Sequence, residues 1–306
     1  MLYRGLEPVE HAAASVAAAR LAGMRIAFVT NNASRHPEAV AAHLIELGIP
    51  AEPEQVVTSA QAAARMLVER VPAGSAVLVL GTAALAETVA AAGLRPVRTV
   101  AEAGGSDEVT GVVQGLAPDT SMADLAEATV ALRAGAVWVA GNLDPTLPSP
   151  RGLLPGNGAF VQVLIEVTGR RPLVAGKPDP ALHVESVTRV GAHRPLVVGD
   201  RLDTDVLGAV QGDADSLLVL TGVTDREKLL SAPVGSRPTY LATDLRGLGQ
   251  PHPPVTVDGL QARCGAATAR CEQGVLAVDQ EDDDGLRALT ALAWACTDAG
   301  LDVRRS

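Results

Sequence analysis

Pro195-Leu196-Val197-Val198-Gly199-Asp200-Arg201-Leu202-Asp203-Thr204-Asp205 runs from a short apolar segment straight into three carboxylates. The apolar half reads as a buried strand, and the residues after it open a helix near Asp205 to Gln211. Carboxylates this close repel and raise one another's pKa unless a cation separates them. A hard divalent cation with oxygen ligands is the natural occupant. Asp is equally common in solvated turns after strands, so this segment alone leaves the turn and the metal site both open.

The same alternation extends outward from this segment. Strands are expected at Arg25 to Val29, Ala76 to Leu80, Val109 to Gln114, Ala136 to Ala140, Pro172 to Ala175, Pro195 to Gly199 and Ser216 to Leu220. Between them lie Ala-rich helical stretches: Pro8 to Ala22, Pro37 to Leu47, Ser59 to Arg70, Ala83 to Ala92, Met122 to Ala134 and Pro180 to Val190. Several helices end at a glycine such as Gly23, Gly48 or Gly93, a common stop signal. A Pro-rich loop, Gly141 to Gly156, precedes a helix ending at Thr168. Repeated strand–helix units predict an α/β fold, a Rossmann-like parallel sheet covered by helices on both faces. Near-continuous Val and Leu runs fit strands buried on both sides. Beyond Pro254, two β-like stretches and a helix ending near Ala299 suggest a small appended layer, which could cover an edge or mediate a homodimer.

Composition narrows the function classes. The chain has 306 residues, 47% hydrophobic and 20% charged, with a formal net charge of −10. That length supports more than one domain. The acidic balance argues against nucleic acid as a partner, because such a protein needs a basic footprint. There is no signal peptide and no apolar run long enough to span a bilayer, so a cytoplasmic location without membrane contact is expected. Cys264, Cys271 and Cys296 fit neither a disulfide framework nor a Cys-x-x-Cys zinc site. Lysine occurs only at 177 and 228.

In parallel α/β sheets, ligands bind beyond the carboxyl ends of the strands. Three expected strand ends carry chemistry: Thr30-Asn31-Asn32, Gly176-Lys177-Pro178 and Gly199-Asp200. Thr30 and the N–H groups after it can donate to anionic oxygens. Lys177 supplies a positive point charge. Asp200 and its neighbours supply a magnesium site. On one rim these make a phosphate site. Taken singly, Thr-Asn-Asn reads first as a helix cap and Lys177 as a surface lysine; their joint placement on strand ends shifts the balance to the site.

Val29-Thr30-Asn31-Asn32, Gly176-Lys177-Pro178 and the segment Gly199 to Asp205 resemble the second, third and fourth motifs of haloacid-dehalogenase-superfamily phosphatases. Asn142-Leu143-Asp144-Pro145-Thr146-Leu147-Pro148 and Leu154-Pro155-Gly156-Asn157-Gly158 are similar to the large α/β cap of the nitrophenylphosphatase-like branch. Within it the chain most resembles actinobacterial glycerol-3-phosphate phosphatases. The resemblance implies a phosphatase core over residues 1–72 and 173–250, an inserted cap domain over 73–172, and a C-terminal extension over 251–306. It implies magnesium-dependent hydrolysis of a small phosphorylated metabolite. A family aspartate attacks phosphorus, and a second aspartate protonates the leaving alcohol and then activates water. By the same resemblance Thr30 binds a phosphate oxygen, Asn31 and Asn32 shape that loop and face the substrate, and Lys177 holds nucleophile and phosphate. Asp200 ligates magnesium, Asp205 orders its shell, and Asp203 is solvated.

One motif of that family is missing from the expected place. Its first strand ends in Asp-x-Asp-Gly, whereas this chain begins Met1-Leu2-Tyr3-Arg4-Gly5. In the family that strand lies between those bearing Thr30 and Asp200. Its loss would leave two edges about 9–10 Å apart, twice the normal spacing. The expectation is therefore a chain truncated at its amino end and inactive as written. Asp282-Asp283-Asp284-Gly285 fits the motif formally but reads more simply as a solvated turn and helix cap. Two readings stand: a phosphatase, or a non-catalytic phosphate-binding or regulatory protein. Asn142 and Asp144 either face the pocket or only shape a turn.

Overall fold

Val77, Val79, Val113 and Val139 turn to one side of their strands, and Leu78, Leu80, Val112 and Trp138 to the other. This period-two division creates two cores on one sheet. A computed structural model describes residues 1–4, 7–149 and 151–305 of the protein. They form two compact units: one of residues 26–46 and 50–192, the other of residues 1–25, 47–49 and 193–306. The first unit holds the whole of the expected cap, residues 73–172, together with residues assigned to the core.

The larger sheet of the first unit has the order Leu173–Val174, Val137–Ala140, Val109–Gln114, Ala76–Leu80, Arg95–Val97, with every neighbouring pair parallel. On one face, the helices Ser59–Val68, Ala83–Ala91 and Ala181–Val190 contribute Leu67, Leu85, Val89 and Leu182. On the other, Met122–Arg133 and Asn157–Thr168 contribute Leu125, Leu132, Val161 and Leu164. The helix starts are locally encoded. Thr58 accepts from the Gln61 N–H while the Gln61 side chain accepts from the Thr58 N–H, and Ser121 pairs with Asp124 in the same way. Such reciprocal caps satisfy donors that the helix itself leaves open. A second, two-stranded parallel sheet pairs Phe28–Thr30 with Val56–Thr58.

In the second unit, Leu196–Gly199, Asp215–Val219 and Tyr240–Ala242 form a three-stranded parallel sheet. The C-terminal segment is richer than two β-like stretches. Val255–Asp258, Gln261–Cys264, Ala267–Glu272 and Val275–Val278 make an antiparallel meander, and Arg304–Arg305 adds in parallel to the last of these. Ala262, Cys264, Ala269, Cys271 and Leu276 pack on Leu289, Leu292, Ala293 and Cys296 of the helix Asp283–Asp298. The same helix sends Leu286 into the core of the parallel sheet, beside Leu218, Leu229 and Leu241. One amphipathic helix thus fastens the C-terminal meander to the strand Tyr240–Ala242.

Several sequence expectations are corrected here. The first helix is Ala12–Leu21, not Pro8 to Ala22, because Glu7–Pro8 pairs with Tyr3–Arg4 and His11 takes a left-handed φ of 63°. The Pro-rich loop contains a hairpin, Thr146–Ser149 with Gly152–Pro155; a two-stranded ribbon has outward edges that tolerate Pro. The helix after Asp200 opens with a π-helical turn, Leu202–Val206. The three chemistry-bearing strands do not share one sheet. Leu173–Val174 pairs with Val139 and Ala140, Phe28–Thr30 belongs to the two-stranded sheet, and Leu196–Gly199 to the three-stranded sheet.

Candidate active site

Thr30, Asn31, Asn32 and Lys177 lie in the first unit, and Asp200 and Asp205 in the second. In the first, the strand Phe28–Thr30 delivers the chain into a tight polar turn. Thr30 Oγ1 accepts from the Asn32 N–H at 3.2 Å. Asn32 Oδ1 then accepts from the Ser34 N–H (2.7 Å), the Ser34 hydroxyl (3.0 Å) and the Arg35 N–H (3.1 Å). Short polar side chains favour such turns because they satisfy nearby backbone donors. Asn32 therefore shapes the loop ahead of the helix Pro37–Glu46.

Asn31 joins two motifs that lie far apart in sequence. Its Oδ1 accepts from the Lys177 N–H at 2.7 Å, and its Nδ2 donates to the Lys177 carbonyl at 3.1 Å. One side-chain amide thereby closes on both main-chain polar groups of a single residue. Nδ2 also lies 3.4 Å from Asp144 Oδ2. The Asn31 carbonyl accepts from the Ser59 hydroxyl (2.7 Å) and from Asn142 Nδ2 (2.8 Å). The Asn31 amide is thus committed to holding Lys177. Asn142 is buried and its Oδ1 accepts from the Asp144 N–H at 3.1 Å, so Asn142 shapes this turn. Glycine makes the close approach possible: a Cβ on Gly176 would lie 2.4 Å from the Gly141 carbonyl oxygen.

In the second unit, Asp205 is only 6% exposed. Its Oδ2 accepts from the Asp200 and Arg201 N–H groups, both at 3.2 Å. A buried carboxylate with two backbone donors is well compensated and fixes the loop. Asp200 Oδ2 accepts from the Val223 N–H at 2.9 Å, and its carbonyl from the Thr224 N–H at 3.0 Å. Asp200 Oδ1 lies 3.3 Å from the Met1 ammonium. Gly222 leaves room for this carboxylate, since a Cβ there would fall 1.8 Å from Asp200 Oδ2. Asp203 points away, 68% exposed, and pairs with Arg201 at 2.7 and 3.0 Å. Those hydrogen bonds hold its carboxyl below the ordinary range.

The Asp282 to Gly285 run is a helix start. Asp282 Oδ1 accepts from the Gly285 N–H at 2.9 Å, Asp283 Oδ1 from the Thr243 N–H at 2.8 Å, and Asp284 Oδ1 from Arg287 at 2.6 Å. All three carboxylates serve the helix and its neighbours. Among the described residues no group of three or more His, Cys, Asp or Glu is placed to hold a metal on its own. The sequence reading gave no role to Ser59 or Gly222 and placed Asn157 only within a cap segment. Gly222 had a visible signal, as the glycine just after an apolar strand.

Comparison with known proteins agrees with these motifs. Residues 1–95 match a family model described as "Haloacid dehalogenase-like hydrolase", and residues 174–248 match one described as "HAD-hyrolase-like". The chain is 47% identical over 310 residues to a D-glycerol 3-phosphate phosphatase of Mycobacterium tuberculosis, covering 99% of this chain and 86% of the relative. An acid sugar phosphatase of Staphylococcus saprophyticus is 36% identical over 247 residues, covering 80% of this chain and 91% of the relative. Among solved structures, a glycerol phosphate phosphatase from M. tuberculosis in complex with magnesium matches with a TM-score of 0.85 at 45% identity, covering 100% of this chain and 90% of that one. A p-nitrophenyl phosphatase from Archaeoglobus fulgidus matches with a TM-score of 0.72 at 28% identity, covering 80% and 93%. With its α/β fold, its parallel sheets and its Thr30, Lys177 and Asp200 segments accounted for, the chain belongs to the haloacid dehalogenase-like hydrolases.

Proposed function

We propose that this protein belongs to a magnesium-dependent phosphatase type acting on a small phosphomonoester, with glycerol 3-phosphate as its substrate. The observation that carries the proposal is the Asn31 amide closed on the Lys177 main chain. It ties the loop after Thr30 to the one lysine among the three motifs. Thr30 and Lys177 bind the phosphate, and Asn31 and Asn32 hold their loops. The similarity to the M. tuberculosis glycerol 3-phosphate phosphatase supports the choice of substrate. Core residues 1–72 and 173–250, cap residues 73–172 and extension 251–306 remain the division of labour in this reading. Three buried cysteines outside any disulfide fit a reducing, cytoplasmic setting. No helix among the described residues is long and apolar enough to cross a membrane.

The residues present suit magnesium. Magnesium binds through one or two carboxylates and keeps several waters. Asp200 has one oxygen committed to the Val223 N–H, and a single carboxylate is enough to ligate such an ion. Asp205 would stand behind it, fixing the Asp200 main chain. When bound, the ion would supply charge neutralisation for phosphoryl oxygens.

In this reading no residue of 1–306 takes the place of the first motif's aspartate pair, since the Asp-x-Asp-Gly run Asp282 to Gly285 caps a helix, and these residues alone do not turn over substrate. The test compares the 306-residue chain with one extended at its amino end by the preceding in-frame codons. With glycerol 3-phosphate and magnesium, phosphate release by the extended chain should exceed that of the shorter by on the order of 10⁴-fold or more, the scale of losing a nucleophile. Release by the 306 residues alone would overturn the assignment of the nucleophile. Release by neither, with phosphate still bound, would favour a non-catalytic phosphate binder.

A further inference from the structure

A line of hydrogen-bonded amides, buried at Asn157 and Asn142 and half-buried at Asn31, runs from the hydrolase cap segment to Lys177. Asn157 opens the helix Asn157–Thr168, is 2% exposed, and donates from Nδ2 to the Asn142 carbonyl at 2.7 Å. Asn142, 7% exposed, donates from Nδ2 to the Asn31 carbonyl at 2.8 Å. Asn31 then closes on the N–H and carbonyl of Lys177. We propose that Asn142 and Asn157 are positioning residues for phosphate binding, acting on Lys177 through Asn31. This rests on the phosphate-site reading given above.

Stability alone does not require this arrangement, because buried amides are costly unless fully paired and apolar residues can fill such space. A relay of amides sets direction as well as distance. Its supports are main-chain contacts that cannot be shortened: a Cβ on Gly158 would lie 2.2 Å from the Leu143 carbonyl oxygen, and one on Gly156 2.3 Å from that of Asp144. The Asn142 to Asp144 turn is therefore seated against the start of the helix, and the turn in turn seats Asn31. A displacement of 1 Å at a binding lysine is enough to matter for function.

Lysine occurs only at 177 and 228, so ¹⁵N-lysine labelling yields two backbone amide signals. Lys177 N–H donates to Asn31 Oδ1, and Lys228 N–H donates to Asp225 Oδ1 at 2.8 Å, which makes Lys228 an internal control. Inorganic phosphate is titrated into the 306-residue chain with magnesium present. The wild-type Lys177 signal should move and the Lys228 signal should stay. In Asn142→Ala, hydrogen exchange at the Lys177 amide should quicken by about tenfold and phosphate Kd should rise by roughly three- to tenfold, as for one lost hydrogen bond. Asn157→Ala, one step further from Lys177, should show the same changes more weakly and serves if Asn142→Ala does not fold. A purely structural role would lower the melting temperature and leave Lys177 exchange and Kd unmoved; that result in a folded variant overturns the inference. A wild-type Lys177 signal silent to phosphate overturns the phosphate reading itself, and the inference falls with it.

Discussion

The two candidate clusters, one in each unit, are built on opposite principles. Around Lys177, neutral side-chain amides satisfy main-chain groups: Asn31 meets both polar atoms of Lys177, and Asn142 meets the Asn31 carbonyl. Around Asp200, main-chain N–H groups satisfy charged side chains: Val223 donates to Asp200, and Asp200 and Arg201 donate to Asp205. The first scheme places a cation without burying any charge to hold it. The second gathers negative charge and steadies it with backbone dipoles, as a cation site requires. The contrast teaches that the lysine cluster should be sensitive to side-chain shape, and the aspartate cluster to charge and to clearance.

Clearance gives the largest expected effect. Gly222→Ala would place a methyl group 1.8 Å from Asp200 Oδ2, so the carboxylate or the loop must move. Magnesium affinity, read by calorimetric titration, should fall by roughly 10–100-fold, the scale seen when the support of a ligand is disturbed. Unchanged affinity would mean that Asp200 does not hold the ion, and the contrast between the clusters would fail.

Charge comes next. Asp205→Ala removes the acceptor for two N–H groups in a nearly buried place. It should cost about 2–3 kcal/mol by urea unfolding, the range for hydrogen bonds to a charged group. Asp205→Asn keeps one acceptor and should cost less. Equal costs for the two variants would show that charge plays no part in holding this loop.

The smallest effect sharpens the contrast by its absence. Asp203 lies two residues from Asp205 yet is exposed and pairs with Arg201. Arg201 lowers its pKa below 3.8, so the folded state favours the ionised form. Its contribution to stability is therefore present above pH 3.8 and is lost as pH falls through the lower folded-state value. Solvent screens an exposed pair, so Asp203→Asn should change stability near neutral pH by under about 0.5 kcal/mol. A loss comparable with that of Asp205→Ala would erase the distinction drawn between the two carboxylates.

Much of this was legible in the chain because it is local. Ala76–Leu80 and Val109–Gln114 are strands by their Val and Leu content alone, and the structure returns those same bounds. Thr30 closes an apolar strand and Lys177 and Asp200 follow apolar strands, which marks them before any contact is known. What could not be read was pairing. Nothing near Leu173–Val174 says that it adds to Val137–Ala140 and not to the strand of Thr30. Nor does any local pattern reveal that the Asn31 amide spans to Lys177, because that bond joins residues 146 apart in the chain. Pro8 misled for the opposite reason, a good helix-start signal overridden by pairing with Tyr3.

The helix Ala12–Leu21 packs against the turn Leu245–Gly249, although the first unit is inserted between them in the chain. A ribosome adding about 5–20 residues per second releases the turn on the order of ten seconds or more after the helix. The helix must wait through that interval without its partner, while residues 50–192 have everything needed for their own sheet. Birth order therefore favours the inserted unit maturing first and the unit carrying Asp200 closing last.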